Sequence, residues 1–166
     1  MSKLRVTIYG EEILRKKARF VKNYDKRLKK LIDDMFQTMY AENGIGLAAP
    51  QVNVQRKVIV IDTQQEGEKF ALVNPKILWK SEETETMNEG CLSIPGVEGD
   101  VVRAKSIRFK YNHPDTGEEK EMEASDLLAR VVQHETDHLN GVLFIDHLSE
   151  KDRVSQSRIL DELAVV

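Results

Sequence analysis

The sequence predicts an α+β domain, with mainly antiparallel sheets packed around one central helix, an N-terminal helix and a C-terminal helix. Three observations predict it. Apolar residues recur at three-and-four spacing in three separate segments, as on the buried stripe of a helix. Between the first two of these segments lie short runs that alternate or are continuously apolar, as strands are. Strands and helices do not alternate one for one, which argues against a parallel sheet. The 166 residues, 40% hydrophobic and 32% charged, suit a single domain over residues 1–166 with a sizeable core.

The elements follow in order. Leu28, Leu31, Ile32, Met35, Phe36 and Met39 place a helix from about Asp25 to Tyr40, with Asp25 as N-cap and Asn43-Gly44 as the stop. Gly44-Ile45-Gly46-Leu47-Ala48-Ala49-Pro50-Gln51 cannot be a helix interior and reads as an extended loop whose backbone approaches something closely. Its glycine spacing fits neither phosphate-binding fingerprint, and no lysine follows. Lys57–Asp62, Phe70–Val73, Ile77–Trp79, the alternating Glu83–Met87 and Ser106–Tyr111 read as strands, with Asn74-Pro75 separating the second from the third. His113–Gly117 is a turn, and Glu119–Ala124 is the return strand of that hairpin. Ser125-Asp126 caps the central helix, which reaches Asn140-Gly141 and carries Leu127, Leu128, Val131, Val132 and Leu139. The last helix covers about residues 149–164, with Asp152 in its first turn and Ile159, Leu160 and Leu163 to pack it.

Net charge is −3, and no block of one sign dominates. The densest basic stretches, Arg15-Lys16-Lys17 and Lys26-Arg27 with Lys29-Lys30, are interleaved with apolar residues and read as solvated faces, so no nucleic-acid recognition is expected. No segment approaches the roughly 20 apolar residues of a membrane helix, and the N-terminus lacks the apolar run of a signal peptide. The single cysteine, Cys91, excludes an intramolecular disulfide. A reducing cytoplasm, where a thiolate persists, is the expected compartment.

The chemistry concentrates in His134-Glu135-Thr136-Asp137-His138, deep in the central helix. Residues four apart share a face about 6 Å along the axis, so the two imidazoles can grip one divalent ion. Glu135 lies about 100° round the helix from His134, within reach of a water on that ion. The central helix is therefore a metal-binding helix. Two histidines leave such a site one ligand short. The candidates are His147, acidic residues near the C-terminus, and Cys91 in Glu89-Gly90-Cys91-Leu92-Ser93-Ile94-Pro95-Gly96, where a lone cysteine is ordinarily a small buried hydrophobe.

Three stretches, in order, resemble the signatures of peptide deformylase: Gly44 to Gln51, Glu89 to Ser93, and Gln133 to His138. The resemblance covers about residues 3 to 150. It implies a metal-dependent hydrolase of protein biosynthesis that removes the formyl group from the N-terminal formylmethionine of newly synthesised polypeptides and releases formate. It implies Cys91, His134 and His138 as ligands of one divalent metal, most often Fe²⁺, with Zn²⁺, Ni²⁺ or Co²⁺ able to substitute. Glu135 is then the proton shuttle, and the Gln51 side-chain amide and the Leu92 backbone N–H stabilise the oxyanion. Ile45, Gly46 and Gly90 would pair with the substrate like an added strand. The methionine pocket would take Ile45, Met87, Glu89, Leu127, Arg130, Val131 and His134. Arg130 departs mildly from the apolar residues common there, and its stem would line the pocket while its guanidinium reached solvent. Glu89 and Arg103 would form a supporting ion pair. The implied partners are N-formylmethionyl nascent peptides and, transiently, the ribosome, although the C-terminus is not notably basic. Two other classes share the metal helix. A zincin-type peptidase would cleave internal bonds without needing Cys91, and an inactive metal-stabilised binding protein would ordinarily have lost Glu135 or Gln51.

Overall fold

In the computed structural model, residues 2–165 are described; Met1 and Val166, the ends of the expected domain, lie outside the described residues. Helix α1 spans Lys26–Ala41. Asp25 caps it, its carboxylate accepting the Leu28 N–H at 3.1 Å, and Asn43 beyond its end turns into the left-handed region at φ 58°. Its stripe of Leu28, Ile32, Met35 and Met39 is buried.

A five-stranded antiparallel sheet has the order β1-β2-β3-β6-β7, with β1 Gly46–Ala48, β2 Val58–Asp62, β3 Lys69–Lys80, β6 Ser106–Asn112 and β7 Glu119–Ser125. Strand β2 is apolar from Val58 to Ile61 because helices cover both faces. Ile59 and Ile61 pack with Ala129 and Val132 of helix α2, Asp126–Leu139, whereas Val58 and Val60 pack with the stripe of α1. A separate ribbon pairs β4 Thr84–Gly90 with β5 Glu98–Ala104. Its inner side meets Leu143–Ile145 and Leu160 in a third cluster.

Four sequence expectations change. The two strands separated by Asn74-Pro75 are one twelve-residue strand, β3. The register shift between Val73 and Lys76 places the proline in a bulge, where its missing N–H leaves no ladder bond unmade. The Gly44–Gln51 loop contains β1 and a 3-10 turn over Ala49–Val52. Ser125 precedes α2 without capping it, because its hydroxyl bonds that of Ser106 at 2.8 Å. The C-terminal helical region divides at Gln156 into α3, Glu150–Ser155, and α4, Ser157–Ala164; Ser149 caps the first by accepting the Asp152 N–H at 3.2 Å. Strand β5 had no sequence expectation.

Candidate metal centre

Helix α2 presents His134 and His138 one turn apart, with ring centroids separated by 5.2 Å. Cys91 follows β4 directly, and its Sγ lies 3.4 Å from His138 Nε2. One donor atom from each of Cys91, His134 and His138 falls within 4.8 Å of the others. That spacing and the soft sulfur with two imidazoles fit one transition-metal ion. His147 does not take part; its Nε2 meets Asp137 Oδ2 at 2.9 Å.

The orientation of His134 is set from outside the trio. Glu89 Oε1 accepts from His134 Nδ1 at 2.8 Å, which leaves Nε2 free to face the centre. Glu89 is itself held on several sides. Arg103 donates to it through Nε at 2.6 Å and Nη2 at 3.0 Å, and Arg130 Nη1 donates at 2.5 Å. Arg103 continues to Asp137 at 2.9 Å. Burial by itself pushes the Glu89 carboxyl up, but the bonds from His134 and Arg103 outweigh it and hold the group at about 2. Burial, and then the neighbouring His134, hold His138 well below the usual histidine range, as a neutral imidazole able to ligate.

The expected Glu89–Arg103 pair is therefore present. Arg130 requires a correction. Its guanidinium does not reach solvent: the residue is only 6% exposed, and it also donates to the Val101 carbonyl at 3.0 Å and the Glu85 carbonyl at 2.7 Å. A buried carboxylate offered it stronger partners than water, and that carboxylate lies 41 residues earlier in the chain.

Glu135 is buried at 5% exposure, and its Oε1 has no hydrogen-bond partner among the described residues. Burial first, then the negative charge of Glu89, outweigh His134 and Arg103 and push its carboxyl up to about 7. A group poised there both accepts and returns a proton near neutrality. Gly46 of β1 lies against it: a Cβ at that position would sit 2.7 Å from Glu135 Oε2 and 2.8 Å from Val131 Cγ1. The need for glycine at 46 thus comes from the carboxylate behind the strand. Gln51 is clamped with its amide N–H turned inward. Its Oε1 accepts the Ala48 N–H at 2.9 Å, and its Nε2 donates to Cys91 Sγ at 3.3 Å and Ser93 Oγ at 3.2 Å.

A cleft of about 430 Å³ opens over these groups. Ile45, Gly46, Met87, Glu89, Gly90, Leu127, Arg130 and Val131 all line it, together with Gln51, Cys91, Leu92, His134 and Glu135. His138 lies behind them. Sequence reasoning missed the lining contributions of Asn43, Asn88, Ile94, Gly96 and Val97. The apolar pair flanking Pro95-Gly96 was the available signal for Ile94 and Val97. Among the described residues both strands beside the cleft have an unpaired edge, since β1 pairs only with β2 and β4 only with β5.

The sequence profile of the Polypeptide deformylase family matches residues 3–154. Peptide deformylase 1 of Clostridium acetobutylicum is 52% identical over 144 residues, covering 87% of this chain and 93% of the relative. The crystal structure of a peptide deformylase from Thermotoga maritima superposes with a TM-score of 0.85 at 44% identity, covering 90% of this chain and 99% of that one. A plant peptide deformylase structure reaches a TM-score of 0.93 at 39% identity, covering 98% and 90% respectively.

Proposed function

The chain belongs to the peptide deformylase family, and from that premise we propose that it removes the formyl group from the N-terminal formylmethionine of newly synthesised polypeptides, releasing formate. The observation that carries this reading is the cluster of Cys91, His134 and His138 with the buried Glu135 carboxylate at the base of an open cleft. Cys91 distinguishes it from a zincin-type peptidase, and the presence of Glu135 and Gln51 distinguishes it from an inactive relative.

Cys91, His134 and His138 would hold one divalent ion, with Fe²⁺ as the proposed cellular metal and Zn²⁺, Ni²⁺ or Co²⁺ able to replace it. When bound, that ion supplies Lewis acidity, acidifying water and polarising the formyl oxygen. Glu135 takes one proton from the attacking water and returns it to the departing amine nitrogen as the C–N bond breaks; the water oxygen leaves in formate. The amide Nε2 of Gln51, exchanging one of its bonds to Cys91 Sγ and Ser93 Oγ, and the backbone N–H of Leu92 donate to the oxygen on which negative charge develops. One such donor is worth about 3 kcal/mol of barrier.

The peptide lies extended between the free edges of β1 and β4, meeting backbone at Ile45, Gly46 and Gly90. Its methionine side chain contacts Ile45, Met87, Leu127 and Val131. Glu89 and Arg130 support that pocket through their mutual bond and leave its contact surface apolar. Residues 1–166 act as one catalytic domain. Among the described residues no helix is long and apolar enough to cross a membrane. A cytoplasmic setting follows from the need to keep Cys91 reduced, and a transient ribosome contact from where formylated chains arise.

The test is release of formate from formyl-Met-Ala-Ser by protein loaded anaerobically with Fe²⁺ or Ni²⁺. Wild type is expected to turn over and Glu135→Ala to be inactive with its metal retained. Absence of formate from the wild type sinks the function, and near-wild-type turnover by Glu135→Ala sinks the mechanism.

A further inference from the structure

Away from the cleft, two adjoining depressions of about 810 and about 620 Å³ share Phe20 on their walls. Arg19, Lys22, Arg27 and Arg56 line one of them, and Lys57, Lys76, Lys80 and Lys110 line the other. Lys110 is paired with Glu119 at 3.3 Å and Arg27 stands on α1; the other six cations come from three distant parts of the chain. The segment at Arg19 runs beside Gln55–Lys57, with the Arg19 N–H donating to the Gln55 carbonyl and the Lys57 N–H donating to the Arg19 carbonyl. Strand β3 brings Lys76 and Lys80 alongside. None of the six makes an ion pair with a carboxylate among the described residues. The two carboxylates on these walls are engaged elsewhere: Asp25 caps α1, and Asp137 accepts from Arg103 and meets His147.

Like charges are also placed directly opposite one another. Arg19 and Arg56 are partners in an isolated bridge, whereas Lys110, opposite Lys76 on β6, is relieved by Glu119 at 3.3 Å. An unrelieved pair opposes folding, and this chain has more acidic than basic residues from which to relieve it. Two aromatic rings stand exposed beside the cations, Phe20 at 60% and Trp79 at 50%.

We propose that this face binds single-stranded RNA. A strand of phosphates answers six uncompensated cations, and its unstacked bases lie against the rings of Phe20 and Trp79. The surface is concave, which suits a strand lying in a groove better than a flat bilayer. No residue of the two depressions lines the catalytic cleft, so binding and turnover are separable.

The test uses a 5′-fluorescein-labelled single-stranded RNA of about 12 nucleotides, a length within single-strand site sizes. Trp79 is the only tryptophan, so its own fluorescence reports the site without any variant. Anisotropy should show saturable binding at about 50 mM salt, with a log–log salt slope of about −4 for six phosphate contacts. Trp79 emission should fall in parallel. The double variant Lys76→Gln, Lys80→Gln should flatten the slope by about 1.4. Trp79→Ala should weaken binding roughly tenfold with the slope unchanged. Both variants should turn over formyl-Met-Ala-Ser at the wild-type rate. The proposal is overturned by absent binding, by unquenched Trp79, or by an unchanged slope in the lysine variant. It is equally overturned if phosphatidylserine vesicles or a second copy of the chain, judged by sedimentation, occupy Trp79 and RNA does not.

Discussion

Replacing Gly46 with alanine adds one methyl group at the point where β1 presses on the Glu135 carboxylate. The new Cβ would lie 2.7 Å from Oε2, and ordinary contact begins at 3.4 Å, so the oxygen must retreat by about 0.7 Å. Sideways escape is limited, because Val131 Cγ1 stands 2.8 Å from the same methyl. A displacement near 1 Å in a catalytic group costs on the order of a hundredfold in rate. Gly46→Ala should therefore lower kcat on formyl-Met-Ala-Ser by about 10- to 100-fold, with metal content unchanged, since none of the three ligand residues is among the nearest atoms to the new methyl. Gly44→Ala is the control. Its methyl meets Leu92 Cδ1 at 3.0 Å, the far end of a flexible side chain, and should cost much less. Steady-state kinetics with metal analysis on both variants decides the matter. A Gly46→Ala protein with wild-type kcat would refute the claim that this glycine exists to seat Glu135.

Cys91→Ser should lose most of its bound metal under anaerobic purification, because a hydroxyl is a far weaker ligand than a thiolate for a soft-ligand site; elemental analysis showing full loading would remove Cys91 from the ligand set. Arg130→Met keeps the stem but leaves Glu89 short of one cation and frees the carbonyls of Glu85 and Val101. It should cost about 3 kcal/mol of stability, or roughly 10 °C in Tm, and an unchanged melt would show that Arg103 alone holds the site. Acid should weaken the link between the N-terminal segment and the turn after α2. Burial pushes the Asp146 carboxyl up, but bonds from Arg15, the Leu143 N–H and Arg153 outweigh it and keep the group below its ordinary 3.8. Its stabilisation is complete above the unfolded value and lost as pH falls through the lower folded one. Urea midpoints should therefore drop more steeply for wild type than for Asp146→Asn between about pH 5 and about pH 3; parallel curves would refute this.

Much of the site could be read from the chain because its decisive spacings are local. His134, Glu135 and His138 lie within two turns of one helix, and helical periodicity alone fixes their faces. The Asp25 cap and the stripe of α1 were legible for the same reason. What escaped depended on partners distant in sequence. Strand β5 begins Glu98-Gly99-Asp100, which lacks apolar alternation, and it is a strand because β4 supplies its ladder. Pro75 signals a strand break by local rules, yet the neighbouring β2 and β6 carry β3 through it as a bulge. Arg130 looked like a pocket residue with a solvated tip until Glu89 was found beneath it. The basic face is the sharpest case. No window of the sequence contains it, because Arg19 meets Arg56 through a bridge and Lys76 shares a depression with Lys57 from another part of the chain.

The ion network behind the metal centre shows why such distant partners are retained. Burying Glu89 with two arginines is not an efficient source of stability, since desolvating the charges cancels much of their attraction. Apolar replacements of similar volume are often neutral or stabilising in such places. What they cannot do is accept a hydrogen bond from the Nδ1–H of His134. With Glu89 held ionised by the bonds it accepts from His134 and Arg103, His134 must carry its hydrogen on Nδ1, which presents the Nε2 lone pair to the centre. The chain thereby spends a buried cluster spanning β4, β5 and α2 on the tautomer of one ligand. The same ribbon that places Glu89 places Cys91 two residues later, so one strand sets both the third ligand and the orientation of the first. A metal site assembled in this way is lost as a unit when the ribbon separates from α2, which ties ion binding to the docking of β4 and β5 rather than to the helix alone.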